Sequence, residues 1–110
     1  NPARILIEAP LDPQWNKAAI EALTKAAELA PTDPKIFYNL AILYGREGDN
    51  KKAIELLQKT IILKQNYRDA TYALWVFYTE TKQAKQAKEV LETYLKKVDP
   101  GDKDFLERIK

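Results

Sequence analysis

The sequence predicts an all-α solenoid of antiparallel helix pairs, about six helices in a single domain. Alanine, leucine, lysine and glutamate dominate the composition, and all four favour helices. Apolar residues recur at helical spacing, as Phe37, Leu40, Ala41 and Tyr44 do at i, i+3, i+4 and i+7. The chain also resembles itself after a shift of 34 residues, which sets Tyr38 on Tyr72, Leu40 on Leu74, Tyr44 on Tyr78, Ala53 on Ala87 and Leu57 on Leu91. The same shift sets Ala19, Ile20 and Leu23 on Ala53, Ile54 and Leu57, and twice that shift sets Phe37 on Phe105. Self-similarity at such a period is the mark of a stacked repeat.

Taken in order, residues 1–13 form an N-terminal lead. Pro10 stands in it where the period would place an inner tyrosine, so any helix there must be short. Ile5, Leu6 and Ile7 are expected to cover the first long helix, which occupies residues 14–31 and is closed by Pro31. A full repeat comes next, over 34–67. Asp33 and Pro34 give it a start signal, an N-cap oxygen before a residue whose missing N–H is not needed there. Gly48 permits a left-handed stop, and Asp49 can cap the second helix of the pair. Residues 68–101 repeat the pattern, and 102–110 begin one more helix that caps the array.

The stretch FYNLAILYGREGDNKKAIELLQKTIIL resembles a tetratricopeptide repeat. Phe37, Leu40, Ala41, Tyr44, Gly48, Ala53 and Leu57 meet that family's pattern of large, small and turn residues, and Thr60 departs mildly at its second small position. The resemblance implies a right-handed superhelix with the first helix of each pair, helix A, lining a concave face. It places Lys35, Tyr38, Asn39, Ile42 and Arg46 of the first repeat on that face. From the second it places Asp69, Tyr72, Ala73, Val76 and Glu80 there. Two tyrosines among aliphatic and charged side chains suit a peptide with apolar anchors. The family's clamp for a C-terminal carboxylate is not implied, because Ile42 and Ala73 stand where it needs asparagines. LAPTDPKIFYNLAILYGREGD is also similar, weakly, to tetratricopeptide tails of bacterial membrane sugar-polymer (O-antigen) ligases, although no residue of a ligase site is among these.

Several chemistries are excluded by absence. The chain has no cysteine, histidine or serine, so neither a disulfide framework nor a Ser-His or Cys-His nucleophile can be built. Asp99 and Asp102 flank a Pro-Gly turn without the ligand number of a calcium loop. No catalytic residue, cofactor or metal is therefore expected. The 18 basic and 16 acidic residues are intermixed, which is not a nucleic-acid footprint. No apolar run approaches the roughly 20 residues of a membrane span, and no membrane contact is expected of this stretch. The chain reads as soluble and cytoplasmic, or as the soluble part of a larger bacterial membrane protein.

One segment resists the pattern. Between Asp49 and Asp99 there is neither glycine nor proline. Gln65 stands where the period repeats Pro31, and Lys82 where it repeats Gly48. A turn is expected at Gln65–Tyr67, with Asn66 the residue most tolerant of left-handed backbone. The alternative is a continuous helix whose exposed core is covered by a second copy. Trp75 falls on Ala41, where paired helices come closest, and Thr71 falls on Phe37. With Tyr94 also large, the second pair cannot pack like the first. Either Trp75 tilts toward Phe105 and Ile109, or it joins Thr71, Tyr78 and Thr79 in an oligomer face.

The expected function is a non-catalytic protein-interaction scaffold that binds a peptide or protein segment on the concave face. The alternative is a self-assembling or engineered repeat building block that forms a homo-oligomer through the Thr71 and Trp75 face.

Overall fold

The computed structural model describes residues 13–110. The expected cover by Ile5, Leu6 and Ile7 lies outside the described residues. Six helices run in order: α1 (Pro13–Leu29), α2 (Pro34–Arg46), α3 (Asn50–Leu63), α4 (Arg68–Glu80), α5 (Ala84–Lys97) and α6 (Lys103–Arg108). Each packs on its neighbour in the chain, so α2–α3 and α4–α5 are antiparallel pairs, α1 stands before them and α6 closes the stack. The described residues thus form an all-α solenoid.

Local chemistry accounts for most boundaries. Asp33 accepts the Lys35 N–H at 3.0 Å ahead of Pro34, and Asp49 accepts the Lys52 N–H at 3.1 Å. Gly48 adopts φ +86°, a left-handed conformation that lets the chain reverse after α2 without a Cβ penalty. Asp102 caps α6 by accepting the Phe105 N–H at 3.1 Å.

The turn between α3 and α4 does fall at Gln65–Asn66, but not for the expected reason. Asn66 is not left-handed; Lys82 is the one non-glycine described residue with positive φ. Lys64 is extended instead, and the Tyr67 N–H reaches the Lys64 carbonyl at 3.2 Å. Tyr67, the N-cap residue of α4, then stacks on Tyr38 of α2 with ring centroids 5.1 Å apart, and this contact braces the break where proline is missing.

The two pairs do pack differently. Ala41, Ala53, Leu57 and Thr60 are wholly buried where α2 meets α3, and small residues let that pair approach closely. The α4–α5 pair is more loosely joined. Trp75 packs on two sides, against the core cluster that includes Leu74, Tyr78 and Ala87 and, beside Val98 and Ile109, against Leu91, Tyr94, Leu95 and Phe105. Tyr94 meets Phe105 edge to face at 5.1 Å. α6 therefore covers part of the indole.

Between α2 and α4 the fit is tight at Gly45, where an added Cβ would lie 2.3 Å from the Phe77 ring. Gly45→Ala is expected to destabilise the fold by about 1–3 kcal/mol in urea unfolding, despite alanine's better helix propensity. Phe77→Leu in that background should recover part of the loss; a Gly45→Ala variant as stable as the parent would show that the ring simply moves aside.

Candidate interaction surface

The A helices are α2, α4 and α6. Side chains rather than backbone join them: Tyr38 stacks on Tyr67, Phe77 lies on Gly45, and Arg108 covers Tyr72. The residues expected on the concave face divide by burial. Lys35, Asp69 and Glu80 are exposed, Asn39, Arg46 and Val76 are half-buried, and Tyr72 is 38% exposed. Tyr38 and Ile42 are not surface at all, at 5% and 3% exposure, because they pack against Ala70, Ala73 and Leu74 of α4. Burial, then the nearby Asp69 carboxylate, pushes the Tyr38 hydroxyl up to about 12. It is a core residue, and so is Ala73.

The four residues expected to form an oligomer face do not share an open surface. Thr71 is 2% exposed and donates to the Tyr67 carbonyl at 3.2 Å. Tyr78 is 8% exposed and its hydroxyl accepts from the Gln58 amide at 2.6 Å. Trp75 is half-buried within the chain, and Thr79 alone is exposed. The size exchange between Thr71 and Trp75 is not a compensation, since Trp75 does not border the space beside Thr71. The space a ring would fill beside Thr71 remains as a groove of about 230 Å³ bordered by Ile61, Leu74, Tyr78, Val90 and Tyr94.

The structure adds a cluster that sequence reasoning passed over. Tyr72 stacks on Trp75 at 5.9 Å, and the Arg108 guanidinium lies over both rings, at 4.9 Å and 4.7 Å. Arg108 Nε donates to Asp104 Oδ1 at 3.0 Å. Asp104 in turn accepts from Arg68 Nη2 at 3.3 Å, and Arg68 grips Asp102 with two hydrogen bonds of 2.6 Å and 3.0 Å. The Arg68 guanidinium also lies 4.3 Å from the centre of the Phe105 ring. A signal existed in the sequence: Arg108 stands where the period repeats Leu40 and Leu74, both core residues.

Asp102 is the electrostatic anchor of α6. Its carboxyl is held below the usual range first by the hydrogen bond from Arg68, against the opposing effect of burial, and then by the Phe105 N–H. Arg68 is correspondingly raised, first by its hydrogen bond to Asp102. This arrangement can hold a surface rigid and offer donors and ring faces. Among the described residues no group of acidic side chains is placed to hold a metal ion, and no helix is long and apolar enough to cross a membrane.

Models of the tetratricopeptide repeat match residues 22–55 and 46–104, the second covering more than half of the chain. The chain belongs to the tetratricopeptide-repeat family. Two crystal structures of MamA are similar to it. They are 29% identical to it, with TM-scores of 0.74 and 0.73, and each match covers 86% of this chain. The chain spans about half of each MamA chain, 54% and 51%. No curated protein matches it.

Two outcomes are expected here. A carboxyl with a depressed pKa stabilises the fold fully above its unfolded value near 3.8, and the stabilisation is lost as pH falls through the lower folded value. In a Trp15→Phe background, Trp75 fluorescence should report α6 loosening below about pH 4, and Asp102→Asn should show the loosened signal already at neutral pH. Thr71→Leu should raise the melting temperature by filling the groove, with each added buried methylene contributing about 0.8 kcal/mol; an unchanged or lower value would mean that the groove cannot accept the added carbons.

Proposed function

We propose that this chain is a non-catalytic protein-interaction scaffold that binds a peptide or protein segment on its A-helix face. The observation that carries the reading is the Tyr72–Trp75–Arg108 stack. It presents a partly exposed tyrosine and a guanidinium on α4 and α6, which also carry half-buried Val76 and Leu106, the latter 39% exposed. Tyrosine, tryptophan and arginine are the side chains that most often dominate binding energy. Lys35, Asn39, Arg46, Asp69 and Glu80, expected on the same A-helix face, would set the register of the bound segment by charge and hydrogen bonding. Membership of a repeat family whose members commonly bind proteins supports the same reading.

Because Tyr38 and Ile42 are core, the recognition centre lies on the second repeat and α6. The test is a peptide array probed with the parent and with folded Tyr72→Ala and Arg108→Ala variants. Each substitution should weaken the peptides that bind by tenfold or more, about 1.4 kcal/mol. Lys88→Ala, exposed on α5, should bind as the parent does. Parent-like binding by a Tyr72→Ala/Arg108→Ala double variant that melts normally would remove the A-helix face from consideration.

A further inference from the structure

We infer that the turn at Lys82 is a hinge through which α5 and α6 exchange between two copies of this chain, independently of what the A-helix face binds. The two helix pairs close with the same backbone geometry one period apart. After α2, the Gly48 N–H bonds to Gly45 at 3.1 Å and the Asp49 N–H to Tyr44 at 3.0 Å. After α4, the Lys82 N–H bonds to Thr79 at 3.2 Å and the Gln83 N–H to Tyr78 at 2.7 Å. The residue that must be left-handed is Gly48 at φ +86° in the first turn and Lys82 at φ +61° in the second. A side chain with a Cβ disfavours that conformation, and lysine is a good helix former.

The surrounding contacts point the same way. Asp49 caps α3, whereas Gln83 provides no side-chain cap for α5. Thr81 Oγ1 donates to the Phe77 carbonyl at 2.7 Å, a bond that persists if α4 runs on as helix. The α3–α4 turn is braced by the Tyr38–Tyr67 stack, whereas among the described residues the α4–α5 pair has no such brace at its turn and is less closely joined than α2–α3, which favours opening at Lys82. A helix continuous from Arg68 to Lys97 would be about 45 Å long. It would carry Leu91, Tyr94 and Phe105 away from Leu74 and Trp75. A second copy opened in the same way returns every one of those contacts, including the paired hydrogen bonds of Arg68 to Asp102. The product has two complete A-helix faces on one rigid connector, which makes the scaffold bivalent.

Two measurements decide this. The parent, Lys82→Gly and Lys82→Val are each unfolded, refolded at about millimolar protein and sized by light scattering. The dimer should fall with glycine and rise with valine. The association constant should differ by roughly 25-fold between parent and Lys82→Gly, about fivefold for each of two hinges. Next, Arg68→Asp and Asp102→Arg chains are refolded separately and together. Exchange places the two substituted side chains in one lobe and the two original ones in the other, so the mixture should form heterodimers that melt well above either chain alone. Monomers in all three Lys82 forms, or a dimer indifferent to that residue, would overturn the inference. A mixture without excess heterodimer would do the same, since a dimer joined by surfaces leaves both pairs mismatched. If the charge-reversed chains do not fold, the Lys82 series decides alone.

Discussion

Two helices joined by a short turn can come together only where the side chains between them leave room, and this limit on volume governs the second half of the molecule. At the first crossing Ala41, Ala53 and Thr60 meet that limit and are fully buried. At the second, Trp75 and Tyr94 occupy the positions of Ala41 and Thr60. Overfilling a core costs about 1–3 kcal/mol, and here the indole is shared between the main core and the cluster under α6. The looser α4–α5 pair, the groove beside Thr71 and the aromatic cluster under α6 accompany that arrangement.

The indole needs cover, and α6 provides part of it with very little helix. Six residues cannot form a stable helix in isolation. The helix is held by its Asp102 cap, by the buried Phe105 ring and by the paired hydrogen bonds from Arg68. Burying the Asp102 carboxylate is tolerable because it accepts those bonds in addition to the Phe105 N–H. The same network aligns Arg108 over Tyr72 and Trp75 through Asp104. Packing and the proposed recognition thus share one set of side chains, Tyr72, Trp75 and Arg108.

This sharing separates the chain from a uniform repeat array, in which each unit would offer equivalent positions along the face. Tyr38 and Tyr72 are one period apart and have opposite roles, the first stacked in the core on Tyr67 and the second exposed beneath Arg108. The difference arises one repeat further along, since each A helix is covered or left open by the next A helix in the stack. For α2 that neighbour is α4, which brings Phe77 and Tyr67 against it. For α4 it is α6, whose Arg108 lies over Tyr72.

The sequence by itself determined the helices and their repeat. The apolar spacing, Asp33, Asp49 and Gly48 act within a few residues of themselves, and so does the volume conflict announced by Trp75 falling on Ala41. It also led to a turn expected at Gln65–Tyr67, which falls at Gln65–Asn66, although it assigned the break to the wrong cause. Tertiary structure decided the features that depend on partners far along the chain: that Tyr67 and Tyr38 hold that break, that Lys82 accepts the left-handed turn, that Tyr38 and Ile42 are core and that Thr71 and Tyr78 are not an outer face. Periodicity fixes which side of its own helix a residue occupies, but whether that side meets solvent is set by the next helix, whose distance and tilt depend on side-chain volumes that no single repeat contains.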